Sequence, residues 1–117
     1  MVVGEFHFGV LGARLPAAGL EGGLAQRDRG IAYRHYCEKA AAHPNGVGCH
    51  YFQCYDQFVL GRFDGENYNI GLFDICSQPY PDMMEQIKLC SSEIYEVADG
   101  QKEPCEEKAD SIPMIAY

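Results

Sequence analysis

Residues 49–75 contain three apolar segments in succession, and how they are read decides the fold: Cys49-His50-Tyr51-Phe52-Gln53-Cys54-Tyr55, Gln57-Phe58-Val59-Leu60-Gly61-Arg62-Phe63 and Tyr68-Asn69-Ile70-Gly71-Leu72-Phe73-Asp74-Ile75. The first is rich in aromatics and the other two alternate. Asp64-Gly65-Glu66-Asn67 stands between the last two as a turn. This pattern predicts a three-stranded antiparallel meander. Upstream, Glu38-Lys39-Ala40-Ala41-Ala42 belongs to a run of strong helix formers. A helix of about four turns is expected from Gln26 to His43, with Asp28 as N-cap and His43-Pro44-Asn45-Gly46 as the stop. Downstream, Pro79 and Pro81 break the chain, and Asp82-Met83-Met84-Glu85 has the form of a capping box. Met83, Ile87, Cys90, Ile94 and Val97 then recur at intervals of four and three, so a second helix presents one apolar stripe, most simply to the sheet, and ends at Gly100.

At the start of the chain, Phe6, Phe8 and Val10 alternate with His7 and Gly9, which predicts a strand from Glu5 to Leu11. Residues 12–25, with Pro16 and Gly22-Gly23, suit a connection with a short strand around Leu20. The expected fold class is therefore α+β: an antiparallel sheet of about five strands with a central helix and a C-terminal helix. A chain of 117 residues buries one modest core. Residues 1–100 are expected to form that single domain, and residues 101–117 an acidic tail that is extended or mobile.

Charge narrows the function classes. The net charge is −8, and residues 82–117 carry nine acidic and three basic side chains, a local balance of −6. Such a surface repels a phosphate backbone, and no basic stripe with interleaved aromatics is present, so nucleic acid is not an expected partner. An anionic membrane surface is disfavoured on the same ground. No apolar run approaches the ~20 residues that span a bilayer. Met1-Val2-Val3-Gly4-Glu5 lacks a basic n-region and meets an acid at once, so a signal peptide is not expected and the cytoplasm is the expected compartment.

Six cysteines, Cys37, Cys49, Cys54, Cys76, Cys90 and Cys105, could form a disulfide framework in any of fifteen pairings. They lie in apolar segments where a free thiol packs as a small hydrophobe, which favours reduced thiols. His35, Cys37, Cys49, His50 and Cys54 supply a ligand set for zinc, but without a tight Cys-x2-Cys knuckle the buried-thiol reading is preferred and no metal or other cofactor is expected. The acidic turn at 64–67 offers too few oxygens for calcium, and Gly-rich residues 19–23 lack the pattern of a phosphate cradle. Cys49 as nucleophile with His7 as base is a second chemical reading, since a thiolate needs a neighbouring imidazole to be abundant at neutral pH. His7-Phe8-Gly9 and Gly48-Cys49-His50-Tyr51-Phe52 resemble the His box and Cys motif of the lecithin-acyltransferase-like and picornaviral protein family. That family carries Asn before the Cys, where this chain has Gly48. A disulfide- or zinc-stapled binding protein or inhibitor also fits the composition.

The order of elements resembles the roadblock/LC7 family of profilin-like light-chain and Ragulator-type proteins. The resemblance rests on Phe8-Gly9-Val10-Leu11-Gly12, the helix through Ile31 to Ala42, Tyr51 to Tyr55, Phe58 to Gly65, Tyr68 to Phe73 and the final helix from Asp82. It implies a non-enzymatic interaction scaffold that forms homo- or heterodimers and binds a protein partner such as a small GTPase or a motor complex, with no catalytic residue. On the residues alone, Tyr33, Tyr36, Cys37 and Ala40 of the helix, with Tyr51 and Tyr55 beside them, form the candidate interface.

Overall fold

The computed structural model describes residues 1–10 and 22–112. Its largest contact is between two helices, α1 (Gln26–Ala42) and α2 (Pro81–Ala98). The α2 stripe works as its spacing requires: Met83, Cys90 and Val97 are buried and Ile87 and Ile94 half-buried. Its principal partner, however, is α1 and not a sheet. Gly30 makes the close approach possible, because a Cβ there would lie 2.8 Å from the Gln86 Cβ.

The caps differ from expectation. Ala25, in extended conformation, is the N-cap of α1, and Asp28 sits one turn in, where its Oδ2 accepts the Ala25 N–H at 2.9 Å. Asp28 thus supplies the carboxylate of a helix start without being the cap. Tyr80 is the N-cap of α2 and Pro81 opens the helix, because proline's fixed φ and missing N–H suit the first helical position. At the other end of α1, the Gly46 N–H donates to the His43 carbonyl at 2.8 Å. A Cβ on Gly46 would lie 2.0 Å from the Ala40 carbonyl oxygen, so the stop needs a glycine there.

The sheet is the main correction. In place of one antiparallel sheet of about five strands, the described residues form five short strands in two small sheets. β1 (Val2–Phe6) pairs in parallel with β4 (Gly48–Tyr51) in the register Val2↔Gly48, Val3↔Cys49 and Phe6↔Tyr51, shifted between Val3 and Phe6. β2 (Gly9–Val10) runs parallel to β3 (Gly22–Gly23), which is antiparallel to β5 (Ser111–Ile112). The expected strand from Glu5 to Leu11 is divided at His7-Phe8, and its halves join different sheets. The strand expected around Leu20 lies outside the described residues. Parallel pairing requires a crossover between strands, and α1 supplies it between β1 and β4. The expected meander is absent: after β4, residues 52–80 form one long connection with isolated bridges Tyr55↔Phe73 and Phe73↔Pro79.

The same segment explains why alternation misled. Phe58, Val59 and Leu60 are consecutive and all exposed, whereas Tyr68, Asn69, Ile70 and Gly71 are consecutive and all buried. Neither run has an inner and an outer face. Gly61 and Gly65, at φ +81° and +90°, turn the chain between them.

The aromatic core lies between β1, β4 and the helices. Phe6, Cys37 and Cys90 form its centre, with Val3, Phe8, Tyr33, Cys49, Tyr51 and Ile94 packed around them. Phe6 stacks on Tyr36 at 4.4 Å between centroids and meets Tyr51 edge-on at 5.2 Å. Residues 102–112 lie along α1 and α2. Lys102 pairs with Glu93, Glu106 with Lys39 and Glu107 with Arg27, and the Cys105 N–H donates to Glu38.

Candidate functional site

β1 and β4 are parallel, so their carboxyl ends open at one place, and this is where α/β folds collect reacting groups. Glu5, His7, Phe8 and Phe52 are brought there. Glu5 is exposed and His7 half-buried. The His7 ring lies 6.5 Å from that of Phe52 and 6.3 Å from that of Tyr68. Burial lowers the His7 pKa below the ordinary histidine value, while Glu5 and Glu66 pull it up and Arg29 pushes it further down. These four charged or titratable groups share one electrostatic neighbourhood. The neutral imidazole is the form this neighbourhood favours.

Glu66 is held from two sides. The Gln57 Nε2 donates to its Oε2 at 2.9 Å, and the Arg62 guanidinium reaches the same oxygen at 3.3 Å. Glu5 has no such clamp among the interactions of the described residues.

A buried polar scaffold supports these groups from below. Arg29, 0% exposed, donates its Nε–H to the Phe8 carbonyl at 2.8 Å and other N–H groups to Gln26 Oε1 at 2.6 Å, the Gly71 carbonyl at 2.6 Å and the Tyr51 hydroxyl at 3.3 Å. Its guanidinium also lies 5.4 Å from the centre of the Tyr80 ring. The buried Asp56 carboxylate accepts from the Gly71 N–H and Asn69 Nδ2, each at 2.8 Å, and from the Tyr80 hydroxyl. Gln26 Nε2 joins the two halves by donating to Asn69 Oδ1 at 2.8 Å. Burial raises the pKa of both Tyr51 and Tyr80, and the hydrogen bond to Asp56 raises Tyr80 further, so both phenols stay protonated. The scaffold ties the end of β1 to the connection after β4, and Gly71 completes it: a Cβ there would lie 2.1 Å from the Asp56 nitrogen.

The residues singled out from the sequence are distributed differently. Cys49 turns from β4 towards α1, with its Sγ 3.4 Å from that of Cys37, while His7 faces Phe52 and Tyr68. Cys37 is packed with Cys90 and buried, and the neighbouring Cys90 and the burial push its thiol well above the ordinary range. Tyr33 and Tyr51 meet edge-on at 5.4 Å and belong to the core cluster with Cys37. Tyr36 is at the core margin, Ala40 is half-buried, and Tyr55 is exposed beside Phe73. His50 and Cys54 are exposed and His35 half-buried on α1. Among the described residues no three His, Cys, Asp or Glu side chains are grouped to hold a metal ion, and all six cysteines are free thiols. No described helix is long and apolar enough to cross a membrane.

The fold and site are those of a parallel βαβ segment that carries polar groups at its strand ends. No protein-family model matches the chain. Two curated relatives do: Beta-agarase B of Vibrio sp. (strain JT0107), 38% identical over 95 residues, and Beta-agarase A of the same organism, 40% identical over 86 residues. The alignments cover 80% and 73% of this chain but only 10% and 9% of those proteins. Among solved structures, the agarase AgWH50C superposes with a TM-score of 0.79 at 40% identity, over 83% of this chain and 15% of its own. An exo-beta-agarase gives 0.79 at 37% identity, over 83% of this chain and 14% of its own, and PfGH50B gives 0.78 at 36%, over 81% and 14%.

These relatives overturn the resemblance to roadblock/LC7 proteins and with it the dimerising, non-enzymatic scaffold. The relatives are enzymes, and this chain corresponds to a small part of them. The thiol hydrolase and the stapled inhibitor find no support among them either. Glu5 and Arg29 are the residues that sequence reasoning passed over. Glu5 drew notice only as an acid in an apolar N-terminus, and an acid at the end of a hydrophobic strand is the signal that could have marked it.

Proposed function

We propose that this chain is the part of an agarose-cleaving glycoside hydrolase that forms one wall of the sugar site and supplies Glu5 as a reacting carboxylate. The observation that carries this reading is the 38% identity over 95 residues to Beta-agarase B. Hydrolysis of a glycosidic bond takes two carboxyl groups, one to protonate the departing oxygen and one to act as nucleophile or to activate water. Glu5 has the position for one of these roles, exposed at the carboxyl end of a parallel strand. The neutral imidazole of His7 beside it offers hydrogen bonds without neutralising its charge. Glu66 is engaged by Gln57 and Arg62 and serves to orient the loop.

The test is to graft the chain in place of the matching 95-residue segment of Beta-agarase B and to measure reducing ends released from agarose. A folded chimera that cleaves agarose, and loses roughly 100- to 10,000-fold in rate on Glu5→Gln, is the expected result. A folded chimera without activity would overturn the agarase reading. An active chimera indifferent to Glu5→Gln would overturn the role of Glu5.

A further inference from the structure

Three sulfurs from three elements meet in the core. Cys49 of β4 lies 3.4 Å from Cys37 of α1, which packs with Cys90 of α2 in one buried cluster. They line a groove of about 320 Å³ whose rim includes Ala40, Val47, Ser91 and Tyr95. Cys37 and Cys90 are 5% and 3% exposed, whereas Cys49 is half-buried, so a reagent entering the groove reaches Cys49 first.

We propose that Cys37 and Cys49 are an oxidisable pair, converted by a low-molecular-weight disulfide into an intramolecular disulfide that ties α1 to β4. With glutathione disulfide as oxidant, the Cys49 thiolate attacks one sulfur, a mixed disulfide forms and one glutathione leaves as the thiol. Cys37 then loses its proton and attacks the Cys49 sulfur, the protein S–S bond forms and the second glutathione leaves. Two protein thiols are oxidised and one glutathione disulfide is reduced to two glutathiones. Bond formation needs the two sulfurs, now 3.4 Å apart, to close by about 1.4 Å. The neighbouring Cys90 and the burial of Cys37 disfavour its thiolate, so it acts second, when the mixed disulfide is already beside it.

The test uses the 117-residue chain with Cys54→Ser and Cys76→Ser, which removes the two exposed thiols. The protein is exposed to glutathione disulfide in native buffer and in guanidinium, quenched by alkylation, digested with trypsin without reduction and mapped by mass. Cleavage after Arg34, Lys39, Arg62, Lys88 and Lys102 puts Cys37, Cys49 and Cys90 on separate peptides. The expected result is a loss of two hydrogens in native buffer, with peptide 35–39 joined to peptide 40–62, abolished by Cys49→Ala and retained within twofold in Cys90→Ala. Unreacted thiols, a bond from Cys37 to Cys90, or the same mixture of pairings in guanidinium would each overturn the proposal.

Discussion

The helix pair and the connection after β4 are built on opposite principles. Between α1 and α2 the contact is a stripe of apolar side chains with Gly30 at the point of closest approach, and specificity comes from shape. From residue 52 to 80 the chain has hardly any regular structure and is held by the buried Arg29, Asp56 and Asn69 and the half-buried Tyr80, polar groups that satisfy one another and the backbone. The difference teaches where a mutation acts. Damage to the helix pair costs packing and is graded. Damage to the polar scaffold strands buried donors or acceptors and costs more per atom.

Four substitutions sharpen or break this contrast. Arg29→Ala removes hydrogen bonds to two backbone carbonyls and two side chains at a fully buried position, and is expected to cost about 3–5 kcal/mol in urea unfolding. It also frees the end of β1, so its cost in agarose cleavage by the chimera should exceed its cost in stability. A loss under about 1 kcal/mol would show that the guanidinium does not organise this region. Asp56→Ala leaves the Gly71 N–H, the Asn69 amide and the Tyr80 hydroxyl without their acceptor and should cost about 2–3 kcal/mol by the same measurement. Gly30→Ala tests the helix pair: the added methyl collides with Gln86, and about 1–3 kcal/mol of overpacking outweighs a helix-propensity gain of up to about 1 kcal/mol. A stabilised variant would mean that the helices separate freely at that point.

The smallest effect concerns pH. His7 has its pKa lowered by burial, so the unfolded chain binds more protons than the folded one below the ordinary histidine value of 6.5. Its contribution to stability is therefore complete above pH 6.5 and declines as pH falls through that value towards the lower folded one. His7→Gln should flatten the wild-type loss of stability between pH 7 and pH 5. Parallel curves for the two proteins would remove His7 from the buried neighbourhood.

Legibility followed the type of interaction. The extents of both helices could be read from the chain because the helix formers of α1, the apolar 3.6-residue stripe of α2 and the glycines that follow each helix are local signals. The caps were displaced because Asp28 and Asp82 suit the first helical turn as well as the cap itself. The strands were misread because alternation in Gln57–Phe63 and Tyr68–Ile75 is also produced by a loop whose side chains go wholly to solvent or wholly into a polar interior. In the candidate site, His7 and Cys49 were noticed for the chemistry of their side chains, and folding sends them to different neighbours. Glu5 gains meaning only once β1 is known to be parallel to β4 with its end open.

The sequence alone determined that α2 has one apolar face, that the chain carries its acidity in its C-terminal third, and that no segment is apolar for long enough to span a bilayer. These depend on composition and on spacing within a few turns. Only the tertiary structure decided that α1 and α2 pack on each other, that β1 and β4 run parallel, and that Arg29 stands at full burial beneath Glu5 and His7. Those facts depend on pairings between residues 20 to 70 positions apart, and no local propensity encodes which distant partner will satisfy a buried charge.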